Sequence, residues 1–199
     1  TQINLSIENQ IGKITLYATS EQGYKNLTKL SSLSYLKKKD SFDPYCDVDD
    51  LNINNQGLII LTGNYNNFFG KLFYKNKIKQ FENIIENFKS TFKDRLYIEI
   101  QRHGELKEKN YESYLLKISS TYNLPLIASQ EVFYLNADMA EAHDALVCIG
   151  EKQFVEDQNR FRYSNQHYLK KNEELEKLYN DIPEALENNY NFPLRFSFK

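Results

Sequence analysis

Gly57-Leu58-Ile59-Ile60-Leu61-Thr62 is a short, unbroken apolar run between polar flanks. Successive side chains of a strand point to opposite faces, so an all-apolar strand needs cover on both. That is the environment of a strand inside a parallel sheet. Leu124 to Ala128 reads as a second such run, while Leu96-Tyr97-Ile98-Glu99-Ile100-Gln101 alternates with period 2. Between these runs lie two helical stripes. One carries Ile78, Phe81, Ile84, Ile85 and Phe88; the other carries Tyr111, Tyr114, Leu115, Ile118 and Tyr122.

Working outward, Ile3, Leu5 and Ile7 alternate ahead of the turn residues Glu8-Asn9-Gln10, and Ile14, Leu16 and Ala18 alternate after Gly12. These two runs predict paired strands. Ser20 is placed to cap a helix with Tyr24, Leu27, Leu30 and Ser31 on one stripe. After Asp43-Pro44 a short helical turn is expected near Asp49-Leu51, and a further helix through Ala140, His143 and Val147. Strands thus alternate with helices, which predicts parallel strands with crossover helices. From Ser164 onward the pattern reads as wholly helical, with Asn172 capping Glu173-Glu174-Leu175 and Pro183 opening a last helix over Glu184 to Asn189. The fold class is α/β, as one domain over 1–199: an α/β core over about 1–150 and a helical carboxyl end over 151–199.

The composition narrows the function classes. Lys+Arg 25 against Asp+Glu 27 leaves a formal net charge of −2 over 199 residues, without the basic excess of a dedicated nucleic-acid module. No apolar run approaches the ~20 residues of a membrane span. Cys46 and Cys148 lie far apart without CxxC spacing, so the sequence predicts no zinc knuckle or disulfide framework, and a reducing cytoplasm. Phosphate-cradling glycine motifs are missing as well.

Chemistry in such folds gathers where strands end. Glu99, Gln101 and His103 share one face, opposite Ile98 and Ile100, and a polar stripe on a core strand is costly unless it meets water, a metal or polar partners. The bland reading is a wet barrel interior. Glu131 follows the next strand. One histidine and one carboxylate make a poor zinc site, which wants about four ligands. His143 is expected to be a hydrogen-bonded structural residue and His167 a surface one. Asp47 and Asp49 have the spacing of a magnesium-binding D-x-D pair, but acidic residues at a helix start explain Asp47-Val48-Asp49-Asp50 better. Lys37-Lys38-Lys39 reads as a solvated helix end.

Specific residues then point to a family. Arg95-Leu96-Tyr97-Ile98-Glu99-Ile100-Gln101-Arg102-His103-Gly104 resembles a signature of the polymerase and histidinol phosphatase (PHP) domain at the amino end of bacterial DNA polymerase III alpha subunits. Gly23-Tyr24-Lys25-Asn26-Leu27, Glu141-Ala142-His143-Asp144-Ala145-Leu146, Arg162-Tyr163-Ser164 and Asp181-Ile182-Pro183-Glu184-Ala185-Leu186-Glu187-Asn188 resemble further stretches, in the same order and spacing.

The resemblance implies a partial (β/α) barrel of mostly parallel strands, entered at its third or fourth strand. The family's HxH segment and the polymerase palm lie outside it. Family members with an intact site use a histidine-rich metal cluster for phosphoester chemistry. Here His103 and Glu131 resemble remnants of the ligand set, Glu131-Val132-Phe133 stands for an Asp-Val-His, and Phe68 and Asn64 stand where a glutamate and a cysteine are usual. The resemblance therefore implies no catalytic residue and no cofactor, with zinc, manganese or magnesium only if the site retains activity. The function implied is that of a fragment of a DNA-directed DNA polymerase, in DNA replication, serving as a scaffold or a docking module for the proofreading exonuclease subunit. The partners implied are the other alpha-subunit domains and that exonuclease, with DNA met only through the whole polymerase and no membrane. The alternative is a residual metal-dependent phosphoesterase or pyrophosphatase. The tail Phe192-Pro193-Leu194-Arg195-Phe196-Ser197-Phe198 departs from the family pattern, and an incomplete barrel is expected to be open, with unpaired strand edges.

Overall fold

The computed structural model describes residues 1–8, 10–37 and 43–198. Asn9 of the expected first turn and Lys38 and Lys39 of the lysine run lie outside the described residues. The alternating amino-terminal runs form β1 (Gln2–Ile7) and β2 (Gln10–Ala18), an antiparallel hairpin. Ser20 caps α1 (Glu21–Leu36), its hydroxyl accepting the Gly23 N–H at 3.2 Å. Leu30 of the predicted stripe is buried, but Tyr24 is exposed. The helix start crosses the backbone before the next strand so closely that a Cβ on Gly23 would lie 2.0 Å from the Gly57 oxygen, and Gly57 itself has φ +70. Only glycine meets both demands at little cost.

Next come β3 (Cys46–Asp47), α2 (Val48–Ile53), β4 (Leu58–Leu61), α3 (Phe68–Tyr74), α4 (Ile78–Phe92), β5 (Leu96–Gln101), α5 (Leu106–Tyr122) and β6 (Leu126–Ser129). Strand order is β3-β1-β2-β4-β5-β6, and the sheet is not closed. β1/β3, β4/β5 and β5/β6 are parallel; the hairpin makes β2/β4 antiparallel. This is the mixed α/β, mostly parallel partial barrel expected from the sequence.

The two faces of the sheet differ. Leu58, Ile60, Leu96, Ile98, Ile100 and Leu126 pack under the helices, among the phenylalanines of α3 and α4. Phe69 meets Phe81 with ring centroids 5.0 Å apart, edge to face. On the other face Ile59, Leu61, Tyr97 and Ile127 form a smaller cluster covered by Phe192. The tail that departs from the family pattern supplies this cover. Phe192 packs edge-on against Tyr17 and Tyr97 at 5.2 and 5.5 Å, Arg195 Nη1 donates to the Tyr97 hydroxyl at 2.7 Å, and the Ser197 N–H donates to the Thr19 carbonyl.

Three expectations need correcting. The chain after Ser164 is not wholly helical: residues 164–169 are irregular or extended, and Tyr168 bridges Tyr134 in parallel before α7 (Asn172–Leu178) begins. The buried imidazole of His167, discussed below, anchors that stretch. Asn172 is the first helical residue rather than the cap; Lys171 occupies the cap position, its N–H donating to Glu174. The β6 edge is not bare either. In α8 (Pro183–Asn191), Asn188 and Asn189 donate their side-chain amides to the Leu126 and Ala128 carbonyls, both at 2.7 Å. Side chains thereby fill acceptors that a seventh strand would use.

The remaining helix is α6 (Ala140–Glu151). Asp47 and Asp50 sit at the start of α2 and share Lys37 Nζ at 2.8 and 2.6 Å, in keeping with the helix-start reading. Cys46 and Cys148 are free and buried. Among the described residues no helix is long and apolar enough to cross a membrane.

The edge caps generate a prediction. Asn188→Ala combined with Asn189→Ala should lower the unfolding free energy by about 1–3 kcal/mol, read as a drop in urea midpoint. An unchanged midpoint would mean that the β6 carbonyls need no amide cap.

Candidate functional site

The carboxyl ends of β4, β5 and β6 converge, as parallel strands require, and their loops carry the polar residues noted in the sequence. The centre is His103, which is 2 % exposed. Its position is set by Glu108, in the first turn of α5. Glu108 Oε2 accepts the backbone N–H groups of His103 at 2.6 Å and Glu105 at 3.1 Å, and Oε1 pairs with His103 Nδ1 at 2.8 Å. This is a capping arrangement that also grips the residue leaving the strand. Although burial works against it, the hydrogen bonds from His103 and Glu105 hold the Glu108 carboxyl below its ordinary range. The other ring nitrogen of His103, Nε2, accepts the backbone N–H of Glu131 at 3.1 Å. A backbone N–H can only donate, so the ring proton sits on Nδ1. Both nitrogens of His103 are therefore committed to protein.

His167, expected at the surface, is 3 % exposed and lies flat on His103, with ring centroids 4.0 Å apart and planes 3° from parallel. Its Nδ1 meets the Glu131 carbonyl at 3.0 Å and must be the donor there. The Glu131 backbone is thus held by both imidazoles, N–H to one ring and C=O to the other. His167 Nε2 is left without a hydrogen-bond partner, 4.0 Å from Glu105 Oε1. Burial, then the neighbouring His103, pushes the His167 imidazole down to about 4. Burial raises the Glu131 carboxyl above its ordinary value.

Phe133 is sandwiched by His143 (4.9 Å) and His167 (5.0 Å), with Tyr163 edge-on. His143 is accordingly held by stacking rather than by the expected hydrogen bond. Phe68 points away from the site into the core, fully buried, whereas Asn64 lines the cleft and donates to Gln101 Oε1 at 3.2 Å. That cleft, of about 920 Å³, runs past Lys13, Lys71, Lys75 and Tyr163 to Glu131.

Glu99 and Gln101 do share a face, but it is dry at Glu99, which is 5 % exposed. Gln101 Nε2 donates to Glu99 Oε1 and to Ser129 Oγ, each at 2.9 Å, and Ser129 donates to Glu99. Glu99 Oε2 is buried and unpaired by strict geometry, with the Gly63 amide lending partial compensation. Burial raises the Glu99 carboxyl above its ordinary range. Arg102 ties this end of the sheet to the helical end, bridging Glu112 and Asp181 and lying 5.0 Å over the Tyr179 ring.

A family profile described as PHP domain matches residues 2–103, from β1 to the central histidine. The chain belongs to the PHP domain family. It is 37% identical over 189 residues to the DNA polymerase III subunit alpha of Borreliella burgdorferi, covering 92% of this chain and 16% of that protein. It is 34% identical over 197 residues to the DNA polymerase III subunit alpha of Rickettsia bellii, covering 98% of this chain and 17% of that protein, and 32% identical over 185 residues to that of Caulobacter vibrioides, covering 93% and 16%. The chain thus spans about one sixth of the length of these relatives.

The described side chains do not assemble the histidine-rich metal cluster of family members with an intact site. His103 offers no free nitrogen, Phe133 offers no donor, and among the described residues no group of three or more His, Cys, Asp or Glu is arranged to hold a metal ion. The structure brings His103 and the Glu131 backbone together, and adds Glu105 and Glu108, which the sequence reading does not single out, and His167, which it places at the surface. Glu108 had a local signal, an acidic residue in the first turn of a helix. His167 lies 64 positions from its stacking partner, and no local pattern marks it.

The buried Glu99 carboxyl makes stability pH-dependent. Its folded value lies above the unfolded value of about 4.3, so stability is lost as pH rises from there through the folded value and is flat beyond. Glu99→Gln should therefore raise the unfolding free energy at pH 8 by roughly 1–3 kcal/mol and change it little at pH 4, as read by denaturant titration at both values. Equal effects at the two pH values would contradict a buried charge.

Proposed function

We propose that this chain is the PHP part of a bacterial replicative DNA polymerase III alpha subunit, in DNA replication, and that it serves there as a scaffold and docking module for the proofreading exonuclease subunit rather than as a hydrolase. The observation that carries the reading is the closed state of His103. A group that contributes to metal-dependent phosphoester chemistry must present a lone pair to the ion, and here one ring nitrogen is protonated toward Glu108 and the other receives the Glu131 amide. The Phe133 ring between His143 and His167 works in the same direction, filling space with a group that cannot ligate. The identities of 37% and 34% to alpha subunits along nearly the whole chain support the choice of parent protein. Arg102 and the amide caps on β6 support a supporting role, because they make the strand ends a rigid platform.

The second reading is a metal-dependent phosphoesterase or pyrophosphatase that uses His103 and Glu131 with zinc, manganese or magnesium. The unpartnered His167 Nε2 beside Glu105 is the one observation in its favour.

The two readings separate cleanly. The purified chain, loaded with manganese or zinc and then desalted, should retain less than about one tenth of an equivalent of metal and should not hydrolyse a phosphodiester or pyrophosphate. It should also retain the exonuclease subunit in a co-purification. Metal-dependent turnover that His103→Ala abolishes would establish the second reading instead.

A further inference from the structure

His167 has one nitrogen to spare. Its side chain is 4% exposed, its Nδ1–H is spent on the Glu131 carbonyl, and its buried Nε2 has no partner among the described residues. Because the ring is neutral at ordinary pH, Nε2 carries a lone pair. A buried acceptor costs free energy until it meets a donor.

The group that faces it is a second acceptor. Glu105 Oε1 lies 4.0 Å from His167 Nε2. The Tyr65 hydroxyl donates to the other oxygen, Oε2, and so fixes the carboxylate with Oε1 toward the imidazole. Two acceptors cannot bond to each other. A small molecule that donates twice joins them.

There is room for one. His167, Glu105 and Tyr65 line a cavity of about 10 Å³, the space of a single water. Asn66 and Tyr163 line it too, and both carry donors that a water oxygen can accept. The cavity shares Asn66, Tyr163 and Glu131 with the larger cleft, which gives an occupant a way in and out.

The distance between the two acceptors decides what fits. A water that donates at about 2.8 Å to each of two acceptors, with ~90–110° between the bonds, sets them roughly 4.0–4.6 Å apart. A tetrahedral zinc ion with bonds of about 2.1 Å draws two ligand atoms to about 3.4 Å. The observed 4.0 Å belongs to the first range.

We propose that one internal water molecule bridges His167 Nε2 and Glu105 Oε1 as a constituent of the fold. It fastens residues 164–169 to the start of α5, so the stacked imidazoles are held from the Glu105 side as well as from Glu131. Such a water belongs to the fold whichever function the strand ends serve.

Crystals of the full chain test this, grown once with a chelator and once with zinc, and measured at the zinc absorption edge to a resolution that shows ordered water. One peak is expected in both, about 2.7–3.1 Å from His167 Nε2 and from Glu105 Oε1, without anomalous signal. In solution the His167 ring protons should show a nuclear Overhauser contact with water, of the sign given by a slowly exchanging internal molecule. The absence of a peak, or a protein group donating directly to His167 Nε2, would overturn the proposal. So would an anomalous peak at about 2.1 Å from Nε2, which would favour the phosphoesterase reading as well.

Discussion

The Glu108 carboxylate organises the functional end of this molecule. It accepts two backbone N–H groups and one ring N–H, so a single side chain caps α5, shapes the turn that follows β5 and fixes the tautomer of His103. With the proton held on Nδ1, Nε2 is left as an acceptor, and the Glu131 amide occupies it. The Glu131 carbonyl in turn receives the His167 ring, which stacks on His103. Each link as far as His167 Nδ1 is a buried polar group satisfied by the next, which rigidifies the site, and His167 Nε2 is left over at the end of the chain of bonds. Remove the carboxylate and the chain of consequences has no first member.

The same economy governs the rest of the sheet. An open α/β sheet exposes two edges and an inner face, and this chain covers much of that surface with short carboxyl-terminal pieces. Asn188 and Asn189 close the β6 edge through side-chain amides, Phe192 covers the inner apolar patch, and Arg102 fastens the last helices to the ends of β5 and β6. The helical carboxyl end is therefore what covers the open sheet. Those contacts give the polar strand ends a fixed geometry.

What the sequence made legible was whatever depends on local period. The apolar run at Leu58–Leu61, the stripe of α4 and the alternation of β5 all became the expected elements, because burial on one or two faces dictates those patterns directly. The family signature added the overall architecture and placed His103 and Glu131 near each other. What it left hidden depends on long-range placement. His167 and His103 meet only because residues 164–169 run extended beside residues 133 and 134, a pairing of too few residues to leave a periodic trace. The short helix α3 went unread because Phe68 and Phe69 are both buried, so no polar face marks its turn. Whether Glu99 meets a wet interior or polar partners stays open in the sequence, because alternation tells which face a residue takes, not how dry that face is.

Both nitrogens of His103 are spent on the protein itself. Nitrogen-15 NMR of the imidazole rings in the full chain, recorded before and after addition of zinc, addresses it most directly. The expected result is a single His103 tautomer protonated at Nδ1, whose Nε2 resonance stays in place as zinc is added. A His103 Nε2 resonance that moves to the position of a metal-bound nitrogen, with release of the Glu131 amide, would contradict it.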